Sequence, residues 1–137
     1  MRKETKIRVL VVDDSRVVLK AVCHLLARFG YEAIAAQSGS EALSILETKD
    51  GFNLILTDIN MPQMDGWELA RKIKSIKPDI PIVALTGENP NHILSRLDGS
   101  GISHALFKPF NLDHLNNAMA HIFEKGMEMK SSRYGSE

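Results

Sequence analysis

The sequence predicts an α/β fold: a five-stranded parallel sheet, doubly wound by helices. Three observations predict it. Five short apolar runs alternate with five stretches of helical periodicity, the connections are short, and four of the runs end on Asp, Thr or Lys. Strands buried on both faces read as continuous apolar runs, which argues for a parallel sheet covered by helices on each side. Crossovers in such sheets are right-handed, and ligands bind beyond the carboxyl ends of the strands, where strand order reverses.

The first run, IRVLVV at 7–12, is followed by Asp13 and Asp14. Ser15 then caps a helix whose apolar positions Val17, Val18, Ala21, Val22, Leu25, Leu26 and Phe29 recur at helical spacing, and Gly30 ends it. Strand two is YEAIAA, 31–36. Ser38 and Glu41 have the S-x-x-E form of a capping box, and Ala42, Leu43 and Leu46 carry the second helix to a stop near Asp50 and Gly51.

Strand three is FNLILT, 52–57, with Asp58 after it. Beyond the loop DINMPQMDG, Asp65 caps a helix expected to turn Leu69, Ile73 and Ile76 inward, and Lys77-Pro78 closes it. Strand four is PIVALT, 81–86. Asn89 caps a fourth helix with Pro90 at its first position, leading to Ile93, Leu94 and Leu97. Gly99 and Gly101 break the chain before strand five, HALF at 104–107. Asn111 opens a last helix with Leu112, Leu115, Met119, Ile122 and Phe123 inward. One domain is expected over residues 1–125, followed by a polar, flexible tail at 126–137.

Composition narrows the function classes. Apolar residues make up 44% and charged residues 25% of 137, ordinary for a globular domain. Seventeen basic residues balance seventeen acidic ones, so no overall field favours nucleic acid or an anionic membrane. No apolar run is long enough to span a bilayer and no signal-peptide pattern opens the chain, so a cytoplasmic location is expected. Cys23 is the single cysteine, read as a packed thiol on the first helix. The histidines His24, His92, His104, His114 and His121 show no ligand spacing and read as surface or strand-end residues. Trp67 is expected at an exposed start of helix three as a packing or rim residue, close enough to the strand ends for its fluorescence to report on metal binding. Met61 and Met64 read as loop packing, and RKIKSIKPD as a solvated helix face.

The strand ends bring Asp13, Asp14, Asp58, Thr86 and Lys108 to one edge. Three carboxylates there repel one another unless a cation sits among them, and hard oxygen ligands favour Mg²⁺. A carboxylate beside such a cation can act as nucleophile toward phosphorus and form an acyl phosphate. Asp58 stands alone and is the candidate nucleophile; Asp13 and Asp14 form the metal-holding pair. Lys108 and the Thr86 hydroxyl can neutralise and bond the phosphoryl oxygens.

The segments VLVVDDS, LILTDINMPQMDG, IVALTG and FKPF resemble the four signature segments of the response-regulator receiver domain of two-component signalling, over about residues 6–125. The resemblance implies the flavodoxin-like (βα)5 receiver fold. It implies that Asp58 accepts a phosphoryl group from a histidine kinase or histidine phosphotransfer protein, with Asp13, Asp14, Asp58 and the Asn60 main-chain carbonyl around Mg²⁺. Thr86 and Lys108 are then the switch residues, Asn60 and Glu88 tune access of hydrolytic water, and the bond before Pro109 is cis. Gly66 fits the family's tight loop. Phosphorylation and dephosphorylation are self-catalysed, without a separate substrate to turn over.

Ala105 departs from the pattern, because receivers often carry Tyr, Phe or His three residues before the lysine. The signal is then expected to travel through the loop after Thr86 and the helix over 90–97. Output is expected through helix four, strand five and helix five to a protein partner, with no nucleic-acid or membrane binding. Two rival readings remain. A haloacid-dehalogenase-type phosphatase wants D-x-D at the end of strand one, where this chain has adjacent acids, and the acidic constellation argues against a phosphorylation-independent interaction module.

Overall fold

The structure is a computed structural model that describes residues 6–108 and 111–131. Pro109, the Leu112 side chain and residues 132–137 lie outside the described residues. The elements run β1 (Arg8–Val12), α1 (Arg16–Arg28), β2 (Glu32–Ala36), α2 (Gly39–Thr48), β3 (Leu54–Asp58), α3 (Gly66–Ile76), β4 (Ile82–Thr86), α4 (Pro90–Leu94), β5 (His104–Phe107) and α5 (Leu112–Ser131). All strand pairs are parallel, in the order β2-β1-β3-β4-β5. That order reverses between β1 and β3, so the crevice beyond their carboxyl ends is where the fold class places a ligand.

The alternation of side chains along each strand divides the core in two. Leu10, Val12, Ile55, Ile82 and Ala84 face α2, α3 and α4, where they meet Leu46, Leu69, Ile73 and Ile93. Val9, Val11, Leu54, Leu56, Val83 and Leu85 face α1 and α5, meeting Leu19, Val22, Leu26, Leu115 and Met119. Both sides of β1, β3 and β4 are therefore dry, which is why their sequences show no polar alternation.

Each predicted cap is present. Side-chain oxygens of Ser15, Ser38, Asp65, Asn89 and Asn111 accept from the backbone N–H of Val18, Glu41, Glu68, Asn91 and His114. The return arm of the capping box differs slightly: Glu41 Oε1 accepts from Gln37 N–H at 2.7 Å, one residue before the cap.

Several inward assignments are corrected. Val17 is 77% exposed and Ala21 is exposed, while Leu19 is buried. Val17 and Leu26 lie nine residues apart, two and a half turns, and so occupy opposite faces of α1. Ile76 and Leu94 are also exposed, each at the end of its helix. Trp67 is only 3% exposed, not at an exposed position, because it lies on the same side of α3 as Ala70 and Ile73 and joins their cluster. Finally, α5 continues to Ser131, so helix occupies the start of the segment read as a tail from residue 126.

Candidate functional site

The site is assembled from strand termini. Asp13 follows β1, and its N–H extends the ladder by donating to Ala36 O at 3.1 Å, which holds its side chain over the crevice. It is 1% exposed; Oδ1 accepts from Ser15 N–H at 2.9 Å and Oδ2 lies 3.3 Å from Lys108 Nζ. Asp14 is exposed beside it. Asp58 ends β3, where its Oδ1 accepts from Ile59 N–H at 2.8 Å and lies 3.8 Å from Lys108 Nζ. Lys108 thus bridges Asp13 and Asp58, and its own N–H donates to Thr86 O at 2.8 Å, tying the end of β5 to that of β4.

Thr86 is fully buried, and its Oγ1 accepts from Glu88 N–H at 3.0 Å. Behind Asp58, the chain turns back so that Gly66 N–H donates to Ile59 O at 2.8 Å. A Cβ on Gly66 would drive into the Asp58 carbonyl oxygen and come within 2.9 Å of Ile59 Cα, so only glycine fits there. Gln63, in the same loop, holds the left-handed region at φ 71°.

Asp13, Asp14 and Asp58 each offer an oxygen, all within 4.8 Å of one another. To share one Mg²⁺, whose ligands bond at about 2.1 Å, the three oxygens have to draw closer together around the ion. The donor set, all carboxylate oxygen with one member open to water, suits a hard divalent cation.

The charges leave a mark on Asp58. Burial foremost, then the neighbouring Asp13 carboxylate, push its pKa above the usual value, against the opposing pull of Lys108 and the backbone N–H groups of Ile59 and Asn60. A carboxyl whose folded-state pKa is raised favours folding while protonated, and that contribution is lost as pH climbs from the unfolded value through the folded one. In Mg²⁺-free buffer at neutral pH, Asp58→Asn is therefore expected to melt above wild type. Thermal scans should show the gap closing below about pH 4, where Asp58 is protonated in both states, and narrowing with Mg²⁺.

Comparison with known proteins identifies the family. The model of the response regulator receiver domain matches residues 9–120. This chain belongs to that family. The receiver domain is 36% identical over 116 residues to the CAI-1 autoinducer sensor kinase/phosphatase CqsS of Vibrio cholerae, covering 82% of this chain and 17% of that protein. It is 33% identical over 112 residues to the sensor histidine kinase RcsC of Salmonella typhimurium, covering 82% and 12%. The chain thus spans less than a fifth of the length of these kinases. Among solved structures it resembles chemotaxis protein CheY4 of Vibrio cholerae, with a TM-score of 0.80, 32% identity and coverage of 86% and 99%. It also resembles TrrA of Thermotoga maritima in complex with Mg²⁺ and BeF, with a TM-score of 0.76, 32% identity and coverage of 85% and 98%. Receiver domains, as a family, are phosphoacceptor switches of two-component systems. None of this chain's described helices is long and apolar enough to cross a membrane.

The receiver brings Asp13, Asp14, Asp58, Thr86 and Lys108 to one edge. Asn60 is exposed, and the Glu88 carboxylate stands 3.9 Å from His92 Nε2. Ala105 faces the cluster shared by α2, α3 and α4, whereas His104 turns toward α5, its ring 5.7 Å from that of His121. Adjacent residues of a strand point to opposite faces, so His104 cannot take the place of a ring at position 105. Two features escaped the sequence reading: the Lys108 bridge to Asp13, and the Arg96 guanidinium 4.5 Å above the Trp67 ring. No local pattern signals either, because each joins residues from separate elements.

Proposed function

We propose that Asp58 is the residue that takes the phosphoryl group, from a histidine kinase or histidine phosphotransfer protein. The supporting observation is the Lys108 ammonium, which lies against both Asp13 and Asp58 among three convergent carboxylates. A carboxylate oxygen of Asp58 attacks phosphorus as the P–N bond of the donor phosphohistidine breaks, and the bonding pair returns to the imidazole nitrogen. Lys108 stands ready to balance the charge on the equatorial oxygens, and Thr86 can donate its hydroxyl proton to one of them.

Asp13, Asp14, Asp58 and the Asn60 carbonyl would hold Mg²⁺, which when bound neutralises phosphoryl charge. The chain's own residues catalyse transfer and the later hydrolysis, with Asn60 and Glu88 at the lip controlling the approach of water. Phosphorylation biases a two-state equilibrium, and α4, β5 and α5 present the altered surface to a protein partner in the cytoplasm. Nucleic acid and membrane are not part of this reading.

Intact mass after incubation with phosphoramidate tests it. One phosphoryl adduct should form with Mg²⁺, fail to form with chelator, and be absent from Asp58→Asn. An adduct that persists in Asp58→Asn would place the chemistry elsewhere. No adduct despite bound Mg²⁺ would favour the phosphorylation-independent interaction module.

A further inference from the structure

The α4 segment has two attachments to the rest of the molecule that lead back to Asp58. At its amino end, Thr86 Oγ1 accepts from Glu88 N–H, and Asn89 then caps α4. A Thr86 hydroxyl that turns toward a phosphoryl group on Asp58 while keeping this bond carries the loop over 87–89 with it, because Glu88 is tied to that same oxygen. At its carboxyl end, Ser95 caps the helix and Arg96 follows, its guanidinium 4.5 Å above the centre of the Trp67 ring. Trp67 is the residue after Gly66, which packs directly against the backbone of Asp58 and Ile59. It is buried in the same cluster as Ile93, the one fully buried side chain of α4.

The helix between these attachments has only five residues. Over so short a span, about 7.5 Å, displacement at one end is felt at the other. Ala105, on the same cluster, has no ring to follow Thr86 inward.

We infer that the Arg96–Trp67 contact is the latch that holds α4 in its resting position, and that phosphorylation draws Arg96 off the ring. This rests on the reading of Asp58 as phosphoacceptor. The cation–π attraction between the guanidinium and the indole favours the resting state, and movement of Thr86 pulls α4 against it. The conformational signal therefore leaves through the α3–α4 contact and does not need an aromatic side chain at Ala105.

Trp67 is the single tryptophan of the chain, so tryptophan emission comes from this one ring, and Mg²⁺ alone is the reference that separates any effect of the metal. Beryllofluoride with Mg²⁺, a phosphoryl mimic, should change that emission in the full chain, measured against Mg²⁺ alone. Arg96 is exposed, and Arg96→Gln should fold normally. Its resting emission should already lie toward the activated value, with the resting-to-active ratio lowered about two- to fivefold, the weight of a partly exposed cation–π contact. Arg96→Lys should fall between the two. Methyl NMR of Ile93 should move along the same line, a shift that loss of packing alone would not direct toward the activated position.

Two results would overturn the latch: unchanged Trp67 emission while fluorine NMR shows beryllofluoride bound, or Ile93 methyl positions and emission in Arg96→Gln that match wild type in both states. If fluorine NMR shows no bound beryllofluoride in wild type, the reading of Asp58 falls, and the latch with it.

Discussion

Gly66→Ala should lose about 2–4 kcal/mol of stability and, with it, ordered placement of Asp58. The cause is steric and lies in the backbone. Gly66 is the first residue of α3, a position where alanine is ordinarily the better helix former. Here the added methyl would meet the Asp58 carbonyl and the Ile59 Cα, neither of which can rotate away as a flexible side chain could. Relief requires moving α3 off β3, which breaks the Gly66 N–H to Ile59 O bond and unseats Trp67 from its cluster. Gly87→Ala is the matched control, because a Cβ there meets nothing within 4 Å. Denaturant unfolding should give a large loss for the first variant and a change within about 0.5 kcal/mol for the second. Equal stabilities would show that the loop behind Asp58 yields easily.

Lys108→Ala should slow adduct formation from phosphoramidate by about 10²–10³-fold at saturating Mg²⁺, the range for loss of a charge-stabilising donor. The same variant should lose stability in chelator, by about 1–3 kcal/mol, because Asp13 and Asp58 would be left facing one another without their shared counter-charge. The ammonium is partly open to water, which keeps the figure below that of a fully buried pair. Since Lys108 lowers the pKa of Asp58, its removal should also steepen the loss of stability as pH rises. Mg²⁺ should restore stability far more than rate, because the ion can balance the carboxylates but cannot take the place of the ammonium beside the phosphoryl group. A rate close to wild type would mean that Lys108 serves the resting carboxylates and not the transfer.

The contrast between Val17 and Leu19 shows how far periodicity reaches. Both are apolar residues of α1, and a stripe drawn through Val17, Val18, Ala21 and Val22 is plausible on spacing alone. The sheet selects the face centred on Leu19, Val22 and Leu26 and leaves Val17 in water. Trp67 is the same lesson in reverse, since a large ring beside a loop reads as exposed until α4 is packed beside it.

Strand and helix order, five caps, the two-sided burial of the central strands and the arrival of Asp13, Asp14, Asp58, Thr86 and Lys108 at one edge were all determined by the sequence. These follow from rules that act over a few residues: apolar runs, a polar oxygen before a helix, proline at its first position, and the fact that parallel strands share one carboxyl edge. Only the tertiary structure decided that Lys108 spans Asp13 and Asp58, that Gly66 must lack a side chain, that Trp67 is buried and that Arg96 lies upon it. Those contacts depend on the strand order β2-β1-β3-β4-β5, and on ångström-scale distances between elements that spacing within any one of them does not encode.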